Sequence, residues 1–356
     1  MIVLISLPLM EAVLQAITHE SIYNSFPHFL KQRTLGIRIF LNTPGHTDFF
    51  WKERFINIPQ EKDFLFSLHD IHPTRGWWPK PHLHMVFNRG TKGYHYTTND
   101  SGHRTLQKNY EKKKTIMLIG DSFTFGVDLD DAYIWPAVLD SMLTETNIIN
   151  LAVAGYGPDQ MLVTLREEID HIHPDLILVN FIAEDLMRSL LTFRDFAKPR
   201  FEYVNGKLVQ TQKILSSISE AREKIQSSIW RQRIIFQSKL IKLSYVLFKN
   251  INYQMSYSDI NLKIFMAMNQ VAHERGIPLV HVFLANTGEN NIDDTGEKFL
   301  RQLEKQGSQV INTRPDITSN KDPRFQRYGH YGLHESRFVA GVIKREINKL
   351  FPELHK

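Results

Sequence analysis

The sequence of 356 residues contains no cysteine, which excludes disulfide bonds, cysteine zinc sites and a cysteine nucleophile. It also lacks a marked excess of one charge, because 43 Lys and Arg face 38 Asp and Glu. This small basic excess gives no reason to expect nucleic acid as a partner, and we predict none. A phosphate loop of the G-x-x-x-x-G-K-[ST] type and a G-x-G-x-x-G turn after a strand are both missing, which argues against a nucleotide-binding α/β protein.

Long apolar runs are scarce as well. The most apolar stretch, MIVLISLPLMEAVLQAI, is interrupted by Glu11 and Gln15 and is shorter than the roughly 20 residues that span a bilayer. No Lys or Arg precedes it, although a secretory signal would carry one there. Three interpretations of residues 1–20 stay open: an amphipathic or buried helix, the end of a signal anchor that starts upstream, and a complete signal peptide. Membrane association through this segment is one of our partner hypotheses.

From Thr115 onward, short apolar strands alternate with helical segments. The predicted strands are 115–120, 147–153, 175–182, 277–284 and 308–313. The predicted helices are 131–145, with Pro136 in the first turn, 158–172, 259–275, 296–306 and 335–350. Alternation of this kind predicts the α/β class, with a parallel sheet and helices on both of its faces.

The chain divides by composition into a lead-in and an α/β domain. We predict short strands in the lead-in, residues 21–113, and the α/β domain over 114–352. Residues 195–255 interrupt the alternation and are interpreted as an insertion, with Asn205-Gly206 at a hairpin turn. The basic, amphipathic helical segment that follows is either an ordinary helical excursion or a lid or surface-binding element.

One motif carries the chemistry. The first predicted strand ends in Gly120-Asp121-Ser122, and an aromatic turn to Gly126 follows. Ligands of open α/β sheets bind beyond the carboxyl ends of the strands, so Ser122 is expected at the binding site. Backbone amides at a helix start can donate to an anion there. We expect Asp121 to accept hydrogen bonds from backbone amides rather than to act as a catalytic acid.

Other segments are predicted to reach the same edge of the sheet. Gly155 follows the second strand, where a glycine lets a backbone amide approach a substrate oxygen. Glu184 and Asp185 follow the third strand; Glu184 is either a helix cap or a substrate-facing carboxylate, and Asp185 is expected to be structural. His330 precedes the last helix and is a candidate general base toward a Ser hydroxyl, with His334 as its nearest alternative.

These segments resemble the SGNH (GDS-motif) serine hydrolase family over roughly residues 70–350. GDSFTFG, NLAVAGYGPDQ, FIAEDL and GHYGLHESRFVA are similar to its first, second, third and last blocks. GWWPKP, TTNDSGHR and KPRFEYVNGKLV resemble segments of its bacterial, membrane-anchored members. The resemblance implies a three-layer αβα sandwich with a flavodoxin-like parallel sheet. It also implies a location in the bacterial cell envelope, membrane-anchored or periplasmic, with the cytoplasm as the alternative.

By this resemblance, Ser122 is the nucleophile, His330 the base, and the amides of Ser122 and Gly155 are oxyanion donors. One departure concerns the oxyanion hole. The family's oxyanion Asn is expected where Glu184 stands, and an ionised carboxylate there would repel a developing oxyanion. Asn180, on the preceding strand, is a poorer candidate for the missing donor.

A second departure concerns the triad acid. The family's Asp lies two or three residues before the His, where this chain has Tyr328 and Arg327. A backbone carbonyl, or Asp322 if the loop folds back, would then orient His330.

Histidines in the lead-in raise the question of a metal. They are His69, His72, His82 and His84. Because no helix motif of carboxylate plus His accompanies them, we predict no metal site and no cofactor.

We therefore expect a serine-dependent ester hydrolase or acyl-transfer enzyme. Its substrates would be small acyl esters, with O-acetyl groups on glycans as one candidate, and water or a sugar hydroxyl would accept the acyl group. The two departures motivate an alternative, a catalytically weakened relative that binds glycan or a cell-envelope partner. The sequence leaves the oligomeric state open.

Overall fold

The computed structural model describes residues 2–27, 29–31, 48–57, 64–89, 92–106, 113–212, 214–286, 292–325 and 329–355. The chain divides into two compact units. The smaller contains Met1–Ile58 and Ser217–Ser256, and the larger contains Pro59–Ser216 and Tyr257–Lys356.

The helices and strands are numbered here in chain order. The α-helices are α1 (Ile2–Thr18), α2 (Glu20–Ser25), α3 (Asp48–Asn57), α4 (Phe64–Leu68), α5 (Ser122–Phe125), α6 (Trp135–Met142), α7 (Pro158–Ile172), α8 (Asp185–Arg188), α9 (Ile218–Gln237), α10 (Lys239–His273), α11 (Ile292–Lys305), α12 (Arg314–Ser319) and α13 (Leu333–Leu350). The strands are β1 (His69–His72), β2 (Gly76–Pro79), β3 (His84–Arg89), β4 (Lys92–Thr97), β5 (Lys114–Ile119), β6 (Thr146–Asn150), β7 (Leu176–Phe181), β8 (Phe193–Arg194), β9 (Phe196–Ala197), β10 (Phe201–Val204), β11 (Lys207–Gln210), β12 (Leu279–Phe283) and β13 (Gln309–Asn312).

A parallel sheet forms the centre of the larger unit. Within the described ranges it has five strands in the order β13-β12-β7-β5-β6. The chain therefore starts at β5, adds β6 on one side, and then builds outward from β7 on the other. This is the flavodoxin-like order, and the predicted α/β class with helices flanking a parallel sheet is confirmed. The order reverses at β5, and such reversals open the crevice in which α/β proteins bind ligands.

The apolar runs of the sequence account for the core. Every residue of β7 is buried, as is every residue of β12, so both faces of these strands are covered. Phe181 makes edge-on contacts with Phe265 of α10 and Phe299 of α11, at ring distances of 5.1 and 5.9 Å. Helices α6 and α13 pack against each other. These layers hold the strand ends, and the loops that follow them, in place.

Some predicted boundaries shift. The helix predicted at 131–145 is divided into a 3₁₀ turn, Asp131–Tyr133, and α6, with Pro136 in the first turn of α6 as expected. The predicted helix 259–275 is the last part of the longer α10. At the predicted hairpin turn, Asn205 and Gly206 have φ angles of 50° and 79°, which suits the tight turn between β10 and β11.

In the smaller unit, α3 packs against α9. The Glu11 carboxylate of α1 accepts hydrogen bonds from the Ser238 hydroxyl and from the amides of Lys239 and Leu240, each at 2.8 Å. Glu11 thus interrupts the apolar stretch of α1 and satisfies the free amides at the start of α10. None of the helices in the ranges described above is long and apolar enough to cross a membrane.

Candidate active site

Ser122 lies at the turn between β5 and α5, at the carboxyl end of the strand where the sheet order reverses. The Asp121 carboxylate accepts a hydrogen bond from the Phe123 amide at 3.0 Å, which caps the short helix. Asp121 is therefore an acceptor for a backbone amide, as the sequence suggests. Ser122 is buried, with 8% of its surface exposed.

The His330 ring lies against Ser122. Its Nε2 is 2.9 Å from the Ser122 Oγ, although 208 positions separate the two residues in the chain. The ring of Phe123 packs on the imidazole at 5.2 Å, and the Tyr331 hydroxyl donates to the Ala285 carbonyl at 2.7 Å. These contacts fix the loop before α13 and hold the imidazole over the hydroxyl. The alternative, His334, belongs to the first turn of α13 instead.

Asp128 provides the carboxylate behind the imidazole. Its Oδ2 is 3.2 Å from the Nδ1 of His330. The carboxylate of Asp322, which the sequence offered for this position, accepts from Arg324 instead, so that prediction is wrong. The carboxylate that contacts the His330 Nδ1 belongs to the loop that follows the Ser motif. Positions 327 and 328, where the family's acid was expected, lie outside the described residues.

The backbone places Asp128 in this position. Its φ of 70° is left-handed, a conformation in which Asp and Asn are several-fold enriched among residues other than glycine. The Asp128 amide donates to the Tyr96 hydroxyl at 3.0 Å. Asp130 and Asp131 lie nearby but have other partners, since they accept from the His95 amide and from Thr97. Asp128 is thus the member of this acidic group that faces the imidazole.

Arg104 organises the loop that holds the acid, and sequence reasoning missed it. Its side chain is completely buried and pairs with Asp131 at 2.8 Å. It also donates to the carbonyls of Phe125, Gly126 and Leu129 at 2.6–2.7 Å. One guanidinium therefore satisfies three carbonyls and a carboxylate of the loop. The signal in the sequence is the cluster of aspartates after the Ser motif, because a carboxylate that becomes buried needs a cation or hydrogen-bond donors nearby.

The loop after β6 brings Gly155 toward the same turn. Parallel pairing with β5 continues past the end of the strand, because the Leu151 amide donates to Leu118 at 2.8 Å and the Val153 amide to Gly120 at 3.1 Å. This register carries Gly155 toward Ser122. Gly155 has a φ of 86°, a left-handed angle that favours glycine.

Glu184 stands at the end of β7, where the family resemblance expects the oxyanion Asn. Glu184 occupies the N-cap position of α8, but its carboxylate makes no capping hydrogen bond to that helix. Its Oε1 is 3.5 Å from the side-chain nitrogen, Nδ2, of Asn286. Its Oε2 is buried and has no hydrogen-bond partner among the described residues.

Two neighbouring polar side chains, Asn180 and Asp185, form hydrogen bonds within the protein. The Asn180 amide donates to the carbonyls of Ile119 and Leu178 at 3.0 and 3.1 Å, so it is not the missing oxyanion donor. Asp185 is fully buried, accepts from the Ile182 amide and pairs with Arg188. Burial raises the pKa of Asp185 well above its usual range. These contacts agree with a structural role for Asp185.

Comparison with known proteins gives one family. The model of the GDSL-like lipase/acylhydrolase family matches residues 116–319. This range includes the Ser122 turn, the Gly155 loop and Glu184. No curated protein matches the chain.

Solved structures with similarity to the chain include a crystal structure of TesA, with 10% identity, a TM-score of 0.42, and 67% of this chain and 100% of that chain covered. A psychrotrophic esterase, EstA from Pseudoalteromonas sp., has 12% identity and a TM-score of 0.41, with 67% and 100% covered. An acetyl xylan esterase has 13% identity and a TM-score of 0.41, with 65% and 99% covered.

Proposed function

This chain belongs to the GDSL-like lipase/acylhydrolase family and is an ester-hydrolysing enzyme, and from that premise we propose that Ser122, His330 and Asp128 form its catalytic triad. The observation that carries the proposal is the 2.9 Å contact between the His330 Nε2 and the Ser122 Oγ. A nucleophile and its base need this distance for proton transfer. The contact of the other ring nitrogen with Asp128 completes the order of groups that the triad mechanism requires.

The first half-reaction follows from this order. His330 Nε2 takes the Ser122 proton while the Ser122 oxygen attacks the acyl carbonyl. Asp128 accepts from the Nδ1–H, which keeps Nε2 free to act as the base and stabilises the imidazolium that forms. The imidazolium then gives its proton to the oxygen of the departing alcohol. An acyl group remains bound to Ser122.

Backbone amides stabilise the charge that develops on the carbonyl oxygen. The Ser122 amide is at the start of α5, and the Gly155 amide lies in the loop that runs alongside β5. Donors placed before the reaction cost little reorganisation in the transition state. In the second half-reaction, His330 activates a water or a sugar hydroxyl, which takes the acyl group from Ser122.

Small acyl esters are the substrates we propose, with O-acetyl groups on a glycan as a candidate. The support is the resemblance to the SGNH serine hydrolases, which favours small acyl esters. An O-acetylated glycan would present one acetyl ester to the Ser122 hydroxyl.

Turnover of p-nitrophenyl acetate by the purified protein tests the nucleophile. Ser122→Ala should reduce kcat to background, because the oxygen that attacks the ester is removed. Ser141→Ala changes an exposed serine of α6 in the same unit and serves as the matched control, with activity like the wild type. Wild-type turnover by Ser122→Ala would refute the assignment.

The second candidate function is binding of an acylated glycan with little turnover, and Glu184 favours it, because a carboxylate replaces an oxyanion donor. Calorimetric binding of an O-acetylated glycan to the wild type, with no acetate released over hours, would support this alternative. Acetate release that depends on Ser122 would exclude it.

A further inference from the structure

At the oxyanion hole of the proposed triad, Glu184 stands where the family resemblance expects an Asn donor. Glu184 offers acceptor oxygens when it is ionised, and the Asn180 amide is used within the sheet. Loss of one oxyanion donor typically lowers kcat by about 10²–10³-fold. An active enzyme built on Ser122 therefore needs a donor from another element, and the described residues around Gly155 contain one.

The Arg194 guanidinium lies directly on Gly155. A Cβ at position 155 would overlap the Nη1 of Arg194, and it would lie 3.1 Å from the Asp195 carboxylate. Gly155 thus has no side chain at the place that the guanidinium occupies. The residue whose amide is proposed to bind the oxyanion therefore also has a cationic donor beside it.

A tight hairpin holds Arg194 in this position. It is formed by β8 and β9, with Phe193 paired to Ala197 and Arg194 paired to Phe196. Asp195 is at the apex with a left-handed φ of 56°, and its carboxylate forms an ion pair with Arg194. The two side chains are only 17% and 10% exposed. The guanidinium is therefore largely shielded from bulk water. Hydrogen bonds to a developing charge are stronger in such a shielded site than in water.

The hairpin and the Gly155 loop share a buried anchor. Lys198, just after β9, forms an ion pair with Asp159 in the first turn of α7, and both side chains are completely buried. The Lys198 ammonium also donates to the carbonyl of Arg188 at 3.1 Å. Since α7 begins directly after the Gly155 loop, this pair fixes Arg194 relative to Gly155. Such fixed geometry is what an oxyanion donor requires.

A second arginine near this loop, Arg188, makes different contacts. Arg188 donates to the Tyr156 carbonyl at 2.9 Å, forms an ion pair with Asp185, and lies 3.6 Å from the Asp121 carboxylate. These contacts are structural. Arg194, in contrast, lies against Gly155 itself.

We propose that Arg194 supplies the oxyanion donor that Glu184 cannot supply. The inference rests on the proposed role of Ser122. In the tetrahedral intermediate, the negative oxygen accepts from the amides of Ser122 and Gly155 and from an N–H of Arg194. Arg194 keeps its protons throughout, because an arginine side chain stays charged in proteins. His330 performs every proton transfer.

The first test compares steady-state kinetics of Arg194→Ala and the wild type on p-nitrophenyl acetate. We expect kcat to fall by about 10²–10³-fold with a KM within about threefold, because the donor acts in the transition state. Arg200→Ala is the matched control, since Arg200 lies just after the hairpin and pairs with Glu202 at 3.4 Å; it should retain wild-type kinetics. Added guanidinium, at concentrations that leave the circular dichroism unchanged, should restore at least tenfold of the lost kcat.

The second test installs the amide that the family resemblance expects. Glu184→Asn in the Arg194→Ala background should raise kcat at least tenfold, because a new donor replaces the missing one. Arg194→Ala with wild-type kcat would overturn the proposal, and so would a loss of kcat that neither guanidinium nor Glu184→Asn rescues. If the wild type itself hydrolyses no ester and Ser122 reacts with no fluorophosphonate, the proposed function fails instead.

Discussion

At the scale of single residues, the molecule separates the acid of the proposed triad from the position where such an acid was expected. The carboxylate that faces His330 belongs to Asp128, which follows the nucleophile motif in the chain. An imidazole needs an acceptor at Nδ1 to keep the tautomer in which Nε2 is a base. In the proposed triad this acceptor comes from the loop after Ser122 and not from the loop before His330.

Asp128→Asn tests this role. The amide can donate to Nδ1 and favour the wrong tautomer, so we expect kcat on p-nitrophenyl acetate to fall by about 10²–10⁴-fold with little change in KM. Asp322→Asn is the control with the same chemistry at the residue that binds Arg324, and it should keep wild-type kcat. The assignment is wrong if the two variants lose activity equally or if Asp128→Asn loses none.

The Ser122 and His330 candidates were available from the sequence, but the acid was not. Ser122 follows an apolar strand and His330 precedes the last helix, so chain position alone suggests a common edge of the sheet. Asp128 faces the imidazole because of a left-handed φ and a Tyr96 hydroxyl that comes from another strand. Neither the φ angle nor this hydrogen bond produces a local pattern in the sequence. The aspartates near it look alike in the sequence and differ only in their tertiary partners.

At the scale of elements, the loop between α5 and the 3₁₀ turn is held by one buried cation. Arg104 donates to the Phe125 carbonyl at the end of α5, to the Leu129 carbonyl within this loop and to the Asp131 carboxylate of the 3₁₀ turn. Backbone carbonyls at a helix end and in a loop need such donors when they are buried. The loop, rather than a helix or a strand, positions the acid. Its order therefore depends on the guanidinium.

Replacing Arg104 by Met should destabilise the protein by about 3–5 kcal/mol, because it leaves a buried carboxylate and several carbonyls without a donor. The free energy of unfolding in urea measures this. Arg324→Met removes an arginine that is 65% exposed, and should change that free energy by less than about 0.5 kcal/mol. Equal effects of the two substitutions would contradict the role given to Arg104.

Elements with strong local signals could be predicted and those with conflicting signals could not. Helix α7 spans Pro158–Ile172 as expected, because Pro158 opens it and His173, with a φ of 48°, ends it. The segment 131–145 divides, since Pro136 can only stand in a first turn. The short hairpin of β8 and β9 had no strand pattern, because tertiary contacts and the Lys198–Asp159 pair define it.

At the scale of the whole molecule, the alternation of strands and helices was enough to predict the parallel sheet. The order of its strands follows from family resemblance and is now described directly. Each of the two compact units is built from two separate segments of the chain. Composition could not predict this division, because it depends on which distant segments pack together.

The free energy of unfolding should decrease at acidic pH because of His281. This residue of β12 is completely buried, and burial lowers its pKa to about 3. The unfolded chain binds the proton near the ordinary pKa of 6.5, so stability is full above that pH and is lost as the pH falls toward 3. Its Nε2 lies 2.8 Å from the Asn269 side-chain oxygen, which suits the neutral ring.

His281→Gln should flatten this dependence. Between pH 7 and pH 4, the wild type should lose about 3 kcal/mol more unfolding free energy than the variant does. Urea denaturation at each pH measures both slopes, and each protein is compared with itself at pH 7, so a general loss of stability cancels. Parallel slopes would contradict the role of His281.

The central claim is that Ser122 is a nucleophile activated by His330, and covalent capture tests it most directly. The folded wild type is treated with a fluorophosphonate, and the modified residue is located by peptide mass spectrometry. We predict one adduct, on Ser122, that forms at least 100-fold more slowly in His330→Ala. A wild-type protein that stays unlabelled at Ser122, or labels there equally fast without the imidazole, would contradict the account.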